Sequence, residues 1–170
     1  MKHLQSFAFR QRLGQTLVLA ALLLPGFASA AEEPGWSLNF TPVLLLPKDD
    51  YHFGGGTDPE LKYSRDLGGV RWSAGGRVGA YYAKNQFGMT AMPTLRVMLP
   101  LGAVDPYVAG GVGYGWLPET EQEGLATMAR AGTVFHFSES FSIGVEATLQ
   151  QLHGSNFGFP SLGSMMAIDL

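Results

Sequence analysis

The sequence predicts an all-β fold: a closed, antiparallel, up-and-down transmembrane β-barrel of eight strands. Three observations carry that reading. Segments of ten or more residues alternate apolar side chains with polar ones or glycine, a code that puts one strand face in an apolar medium and the other among polar groups. The chain of 170 residues has no cysteine, so no disulfide can contribute to its stability. The first 30 residues have the form of an export signal, and no later stretch approaches the roughly 20 apolar residues of a transmembrane helix.

The leader has a basic start (Lys2, Arg10, Arg12), an apolar stretch at Thr16–Leu24 and a small-residue cleavage signal, Ala28-Ser29-Ala30. Cleavage is expected after Ala30, leaving residues 31–170 as one barrel domain. Gln11 separates the two arginines, which favours general secretion over a twin-arginine route, and with no cysteine there is no lipoprotein anchor. Three of the 11 basic residues lie in the leader and all 14 acidic ones lie after it, so the remainder carries 8 − 14 = −6. That charge excludes a nucleic-acid partner, which needs a basic surface.

The strands follow in order. Trp36–Leu46 alternates Trp36, Leu38, Phe40 and Leu44 with Ser37, Asn39 and Thr41. Pro42 cannot donate to a ladder, so a bulge or irregular pairing is expected there. Pro47–Gly69 is polar and glycine-rich. Val70–Tyr82 places Val70, Trp72, Ala74, Val78, Ala80 and Tyr82 outward and Arg71, Ser73, Arg77 and Tyr81 inward. After a turn at Lys84-Asn85-Gln86, Phe87–Leu99 turns Phe87, Met89, Ala91, Leu95, Val97 and Leu99 outward and Thr90, Thr94 and Arg96 inward. Gly102–Pro106 turns into Tyr107–Trp116, whose inward face carries Gly111, Gly113 and Gly115. An acidic loop, Pro118–Gly124, leads to Leu125–Phe137, with Arg130 inward and Phe135 and Phe137 outward. Ser138-Glu139-Ser140 turns that strand into Phe141–Gln151, and the loop His153–Pro160 precedes a last strand, Leu162–Leu170.

Seven strands are explicit. Bacterial barrels have an even number with both termini on the periplasmic side, so an eighth is expected within residues 48–67, near Glu60–Arg65. Turn lengths give an orientation, because periplasmic turns are short and outer loops longer. Ser138–Ser140 and Gly102–Pro106 become periplasmic turns. Pro118–Gly124, His153–Pro160 and a short Lys84–Gln86 face outside.

The segment Asp105-Pro106-Tyr107-Val108-Ala109-Gly110-Gly111-Val112-Gly113-Tyr114 resembles the Pro-Tyr-Val-Gly-Ala-Gly-x-Gly-Tyr strand common in the small outer-membrane barrel superfamily that includes OmpA, OmpX and OmpW. The hairpin Arg130–Leu152 has the style of that superfamily's penultimate strand pair. The resemblance implies insertion into the outer membrane of a Gram-negative envelope by the barrel-assembly machinery. Outer-membrane lipid and lipopolysaccharide would be the surroundings, and the state monomeric. Such barrels often finish on phenylalanine or tryptophan, where this chain has Leu170.

Four sets of residues bear on chemistry. Arg71, Arg77, Arg96 and Arg130 share the inward face with Glu146, His136 and Asp169, and an eight-stranded barrel is just wide enough for its side chains to fill it. Charges there must pair or incur a large desolvation cost, so an ionic plug closing the lumen is expected. The alternative is a narrow anion-attracting lumen, since these arginines outnumber the inward acids. Second, His153-Gly154-Ser155-Asn156 brings a base, a hydroxyl and an amide close in sequence, the minimum for an activated nucleophile with an oxyanion donor. The tetrad is similar to the His-x-Ser-Asn of PagL-type lipid A deacylases, whose lipid-facing site the outward register of His153 and Ser155 would match. That family orients its histidine with a downstream glutamate, and no glutamate follows Ser155 here.

Third, Asp49, Asp50, Asp58 and Glu60, with Glu119, Glu121 and Glu123, read as solvated loop charge, without the spacing of a calcium loop. His52, His136 and His153 lack metal-ligand spacing, so neither a metal nor a cofactor is expected. Fourth, Trp36, Trp72, Tyr81, Tyr82, Tyr107, Tyr114 and Trp116 cluster near strand ends, as interfacial girdles would. Gly75, Gly76, Gly79, Gly110, Gly111, Gly113 and Gly115 precede no helix and relieve crowding in a small barrel.

The leading reading is a non-enzymatic outer-membrane barrel serving envelope structure or surface interaction. Its alternatives are a lipid A deacylase using His153, Ser155 and Asn156, and a soluble periplasmic barrel that binds a small ligand. A porin is excluded, since this length cannot build a 16-stranded wall.

Overall fold

A computed structural model describes residues 35–46, 53–83, 85–155 and 157–170. The leader, Lys48, Asp49, Asp50, His52, Lys84 and Asn156 lie outside the described residues. Eight strands run antiparallel: β1 (Gly35–Leu45), β2 (Gly54–Leu67), β3 (Val70–Ala83), β4 (Gln86–Met98), β5 (Val104–Leu117), β6 (Gln122–His136), β7 (Phe141–Leu152) and β8 (Gly158–Asp169). Each pairs with the next, and β1 pairs with β8 from Ser37↔Asp169 to Leu45↔Ser161, which closes the barrel. Most strands start earlier than read from sequence, by four residues at β8, where pairing starts at Gly158 rather than Leu162, while β1, β4, β6 and β8 each stop one residue sooner.

The eighth strand is β2. It spans all of Gly54–Leu67, not only the part around Glu60–Arg65. Its even positions Asp58, Glu60 and Lys62 are buried, while Leu61, Tyr63 and Leu67 are exposed. Its inward face is thus the most charged in the barrel, which gives the segment a loop-like composition. Gly68 and Gly69 join β2 to β3 with φ of 63° and 80°. Two successive left-handed residues make the tight hairpin turn whose twist suits paired strands, and glycine adopts them without a Cβ penalty.

The first and last described residues, Gly35 and Leu170, lie at one end of the barrel, here the terminus end, with the turns at Gly68-Gly69, 99–103 and 137–140. The other end carries the connections 46–53, 84–85, 118–121 and 153–157, the same grouping of turns as read from sequence. Pro42 produces no bulge. Phe40↔Met166 and Val43↔Gly163 belong to one register with a gap between them, while pairing to β2 continues through Pro42↔Thr57. Pro59 in β2 and Pro93 in β4 coincide with the same kind of gap in the β2–β3 and β4–β5 ladders. The missing N–H interrupts pairing on one side only.

The apolar faces point outward. Leu38 (45 %), Trp72 (41 %), Leu95 (52 %) and Ile143 (37 %) are exposed, so they are not the core of a water-soluble fold. Inside, an apolar cluster at the loop end includes Leu45, Met92, Leu117, Leu152, Phe157 and Phe159. Phe157 folds in from the β7–β8 connection and packs edge-on against Phe159, centroids 5.1 Å apart. A smaller cluster toward the terminus end holds Met98, Tyr107, Val134, Met165 and Ala167.

Gly132 pairs with Tyr107 across β5–β6, and a Cβ there would lie 2.6 Å from the Val145 carbonyl and 2.8 Å from the Tyr107 ring. Gly132→Ala is therefore expected to destabilise the barrel by about 1–3 kcal/mol, the usual cost of overpacking. Urea unfolding in detergent micelles measures it as a lowered midpoint at unchanged slope.

Candidate functional site

Between the two apolar clusters lies a belt of charge that the inward faces of β2, β3, β4, β6 and β7 build together. Glu60 is its centre. Arg96 Nη2 donates to its Oε2 at 2.8 Å and Arg130 Nη2 to its Oε1 at 2.9 Å. Asn39 Nδ2 (3.1 Å) and Thr94 Oγ1 (2.7 Å) also donate to this carboxylate. Arg130 reaches on to Glu146, Nη1 to Oε2 at 3.3 Å, and Tyr107 donates its hydroxyl to the same oxygen at 2.5 Å. The Arg96 guanidinium lies 4.2 Å above the centre of the Tyr107 ring. On the loop side Arg77 pairs with Asp58, which also accepts from the Tyr81 hydroxyl, and that hydroxyl lies 3.0 Å from Gln150 Oε1.

Three arginines thus face three carboxylates, each of the six side chains no more than 2 % exposed. Charges taken this far from water need both a counter-charge and hydrogen bonds to their remaining lone pairs. The hydroxyls of Tyr81, Thr94 and Tyr107 and the Asn39 amide supply part of the second requirement.

Two expectations are corrected here. Asp58 and Glu60 are not solvated loop acids: they are 1 % and 2 % exposed and sit inside β2. Counting them removes the expected surplus of inward arginine over acid. Tyr81 and Tyr107 are not girdle residues either; at 1 % and 4 % exposed they face inward and hold carboxylates. Trp36 and Trp72 stay outward near the terminus end, and Tyr82, Tyr114 and Trp116 stay outward near the loop end.

Below the belt, a cavity of about 290 Å³ opens at the terminus end, with Lys62, Arg71, His136, Ser142 and Asp169 on its wall. Arg71 Nε pairs with Asp66 Oδ1 at 2.7 Å, and Lys62 donates to Ser37 Oγ at 2.6 Å. His136 bridges Asp105 Oδ2 through Nε2 and Ser142 Oγ through Nδ1, both at 2.9 Å. Asp105 and Ser142 bear on this site and sequence reasoning passed over both. The signal available was their inward parity opposite His136, hidden because it needs the register of three strands.

At the loop end, the described bonds of His153 and Ser155 lead apart. His153 Nε2 bonds Thr127 Oγ1 at 2.9 Å. Ser155 Oγ donates to the Leu152 carbonyl and accepts from the Phe157 N–H, both at 3.0 Å, so its described bonds shape the turn. Among the described residues, no hydrogen bond joins the imidazole to that hydroxyl. Glu119 in the acidic loop accepts from the Phe87 N–H at 3.0 Å, tying that loop to β4.

Glu60→Ala would leave Arg96 and Arg130 buried without their shared carboxylate. A loss of about 3–5 kcal/mol is expected, as for other broken buried pairs. Urea unfolding in micelles, followed by tryptophan fluorescence, reads it out.

No protein-family model matches this chain, and no curated protein matches its sequence. Solved structures do match its shape. Neisserial surface protein A superimposes with a TM-score of 0.55 at 8 % identity, over 80 % of this chain and 97 % of that one. The N-terminal β-barrel domain of Pseudomonas aeruginosa OprF gives 0.55 at 16 % identity, over 81 % and 100 %. The outer-membrane enzyme PagL gives 0.53 at 17 % identity, over 78 % and 99 %. Identities this low establish shape alone, and the chain has the fold of the small eight-stranded outer-membrane β-barrels.

Proposed function

We propose that this protein is a sealed barrel of the bacterial outer membrane, exported by residues 1–30, inserted by the barrel-assembly machinery and serving as a structural or surface element of the envelope. One observation carries the reading: a continuous apolar exterior encloses an interior of mutually paired charges. Among the described residues, Leu38, Trp72, Val112 and Ile143 are exposed on the outside. Hydrocarbon removes that surface from water at no polar cost, because the closed ladder leaves no strand edge. Strands of 11 to 15 residues meet or exceed the roughly 9–11 that a tilted strand needs to cross the bilayer core. The outward tryptophans and tyrosines at the two ends suit the two headgroup zones.

The interior supports a closed lumen. The belt around Glu60 ties β1, β2, β4 and β6 together across the barrel, and Phe157 and Phe159 pack above it. An ion crossing here would have to displace paired charges and packed rings. In this reading the wall serves the envelope as a monomer among lipid and lipopolysaccharide, and its role asks no chemistry of His153 or Ser155.

Two experiments test the proposal. Val112→Arg, near the middle of β5, is expected to cost about 2–4 kcal/mol when the protein is folded into phospholipid vesicles, the depth-dependent penalty of a charge on a lipid face. A water-covered surface would tolerate it. In fractionated cells the protein should stay with the outer membrane and migrate differently on gels before and after boiling. In planar bilayers it should give no conductance steps, and Ser155→Ala should leave lipid A acylation unchanged. Release into the soluble fraction without detergent would end this reading.

A further inference from the structure

We propose that Ser142, His136 and Asp105 form a hydrolytic triad facing the cavity at the terminus end, with small carboxylic esters as substrates. The site lies on the far side of the ionic belt from the loops and goes beyond the sealing role, since it needs only the blind cavity beneath the seal. Its geometry is that of a base held between an acid and a hydroxyl. Asp105, 2 % exposed, has both carboxylate oxygens committed. Oδ1 accepts from the Leu101 N–H at 2.8 Å and the Gly102 N–H at 3.0 Å, and Oδ2 meets His136 Nε2 at 2.9 Å. The two amides hold the carboxylate in place as an acceptor, and His136 Nε2 donates to it. That leaves Nδ1 as the acceptor facing Ser142 Oγ at 2.9 Å. His136 and Ser142 are cross-strand partners of β6 and β7, which fixes their approach. Ser142, itself 2 % exposed, lines the cavity beside its β8 partner Ala167.

The chemistry balances with water alone. Ser142 Oγ attacks the ester carbonyl carbon while its proton passes to His136 Nδ1. The tetrahedral oxyanion collapses, the C–O bond to the leaving group breaks, and the alcohol departs with the proton from Nδ1. Water then attacks the acyl-serine, gives a proton to Nδ1, and releases the carboxylic acid as Ser142 recovers its proton. Asp105 is a positioning residue that selects the tautomer of the imidazole.

The test uses the full chain folded in detergent micelles, with folding verified by heat-modifiability. A fluorophosphonate probe is expected to form an adduct that peptide mass spectrometry maps to Ser142. Ser142→Ala should abolish it, and Ser155→Ala should leave it intact. His136→Gln should slow both labelling and hydrolysis of p-nitrophenyl butyrate by about 10²-fold or more, the scale of a lost general base. A folded wild type without an adduct at Ser142 overturns the proposal, as does His136→Gln labelling at the wild-type rate. Loss of thermal stability in these variants with no labelling in the wild type would assign the three residues to clamping the strands instead.

Discussion

The coordination of Glu60 is the interaction on which the interior depends. Eight strands leave room for side chains and little else, and into that space β2, β3, β4, β6 and β7 each send charge. A single carboxylate accepting from Arg96, Arg130, Asn39 and Thr94 answers donors on β1, β4 and β6 together. Glu146 and Asp58 then neutralise what remains, each with a tyrosine hydroxyl as a further donor. The belt is therefore a set of mutual obligations across the barrel, and no member can be removed without stranding another in a place with no water to take its part.

The belt also divides the interior. Toward the loops the space is apolar and filled, with Phe157 entering from a connection rather than from a strand. Toward the termini it stays open, and the polar groups there serve the cavity rather than one another alone. One inward-facing code of polar residues therefore yields two environments, sealed above and accessible below. Position along each strand decides which one a residue enters.

Much of the wall was legible in the sequence. Alternation assigned the outward and inward faces of β3, β4 and β7 residue by residue, because burial period and strand period are the same. β2 was harder, since Asp58, Glu60 and Lys62 on one face, Pro59 within it and three glycines at its start give it a loop's composition. Tyr81 and Tyr107 were ambiguous for another reason: a phenol suits a headgroup zone and a buried carboxylate equally well. The pairing itself was beyond reach. Glu60 and Arg130 are 70 positions apart, and only the register of the intervening strands brings them within 3 Å. The same holds for Asp105, His136 and Ser142, whose inward parity is readable but whose meeting needs two ladders aligned.

The gap at Pro42 bears on how the cylinder comes together. Seven of the eight strand contacts are hairpins whose connecting segments span at most eight residues, so each closes locally and at small entropic cost. The β1–β8 contact joins Phe40 to Met166, which lie 126 positions apart in sequence. Bringing such distant segments together costs about 2 kcal/mol more than closing an eight-residue loop, and it rewards that cost with an interrupted ladder. This seam should be the last to zip and the first to part, which makes the stretch where the chain's two ends meet the natural gate for assembly and for unravelling.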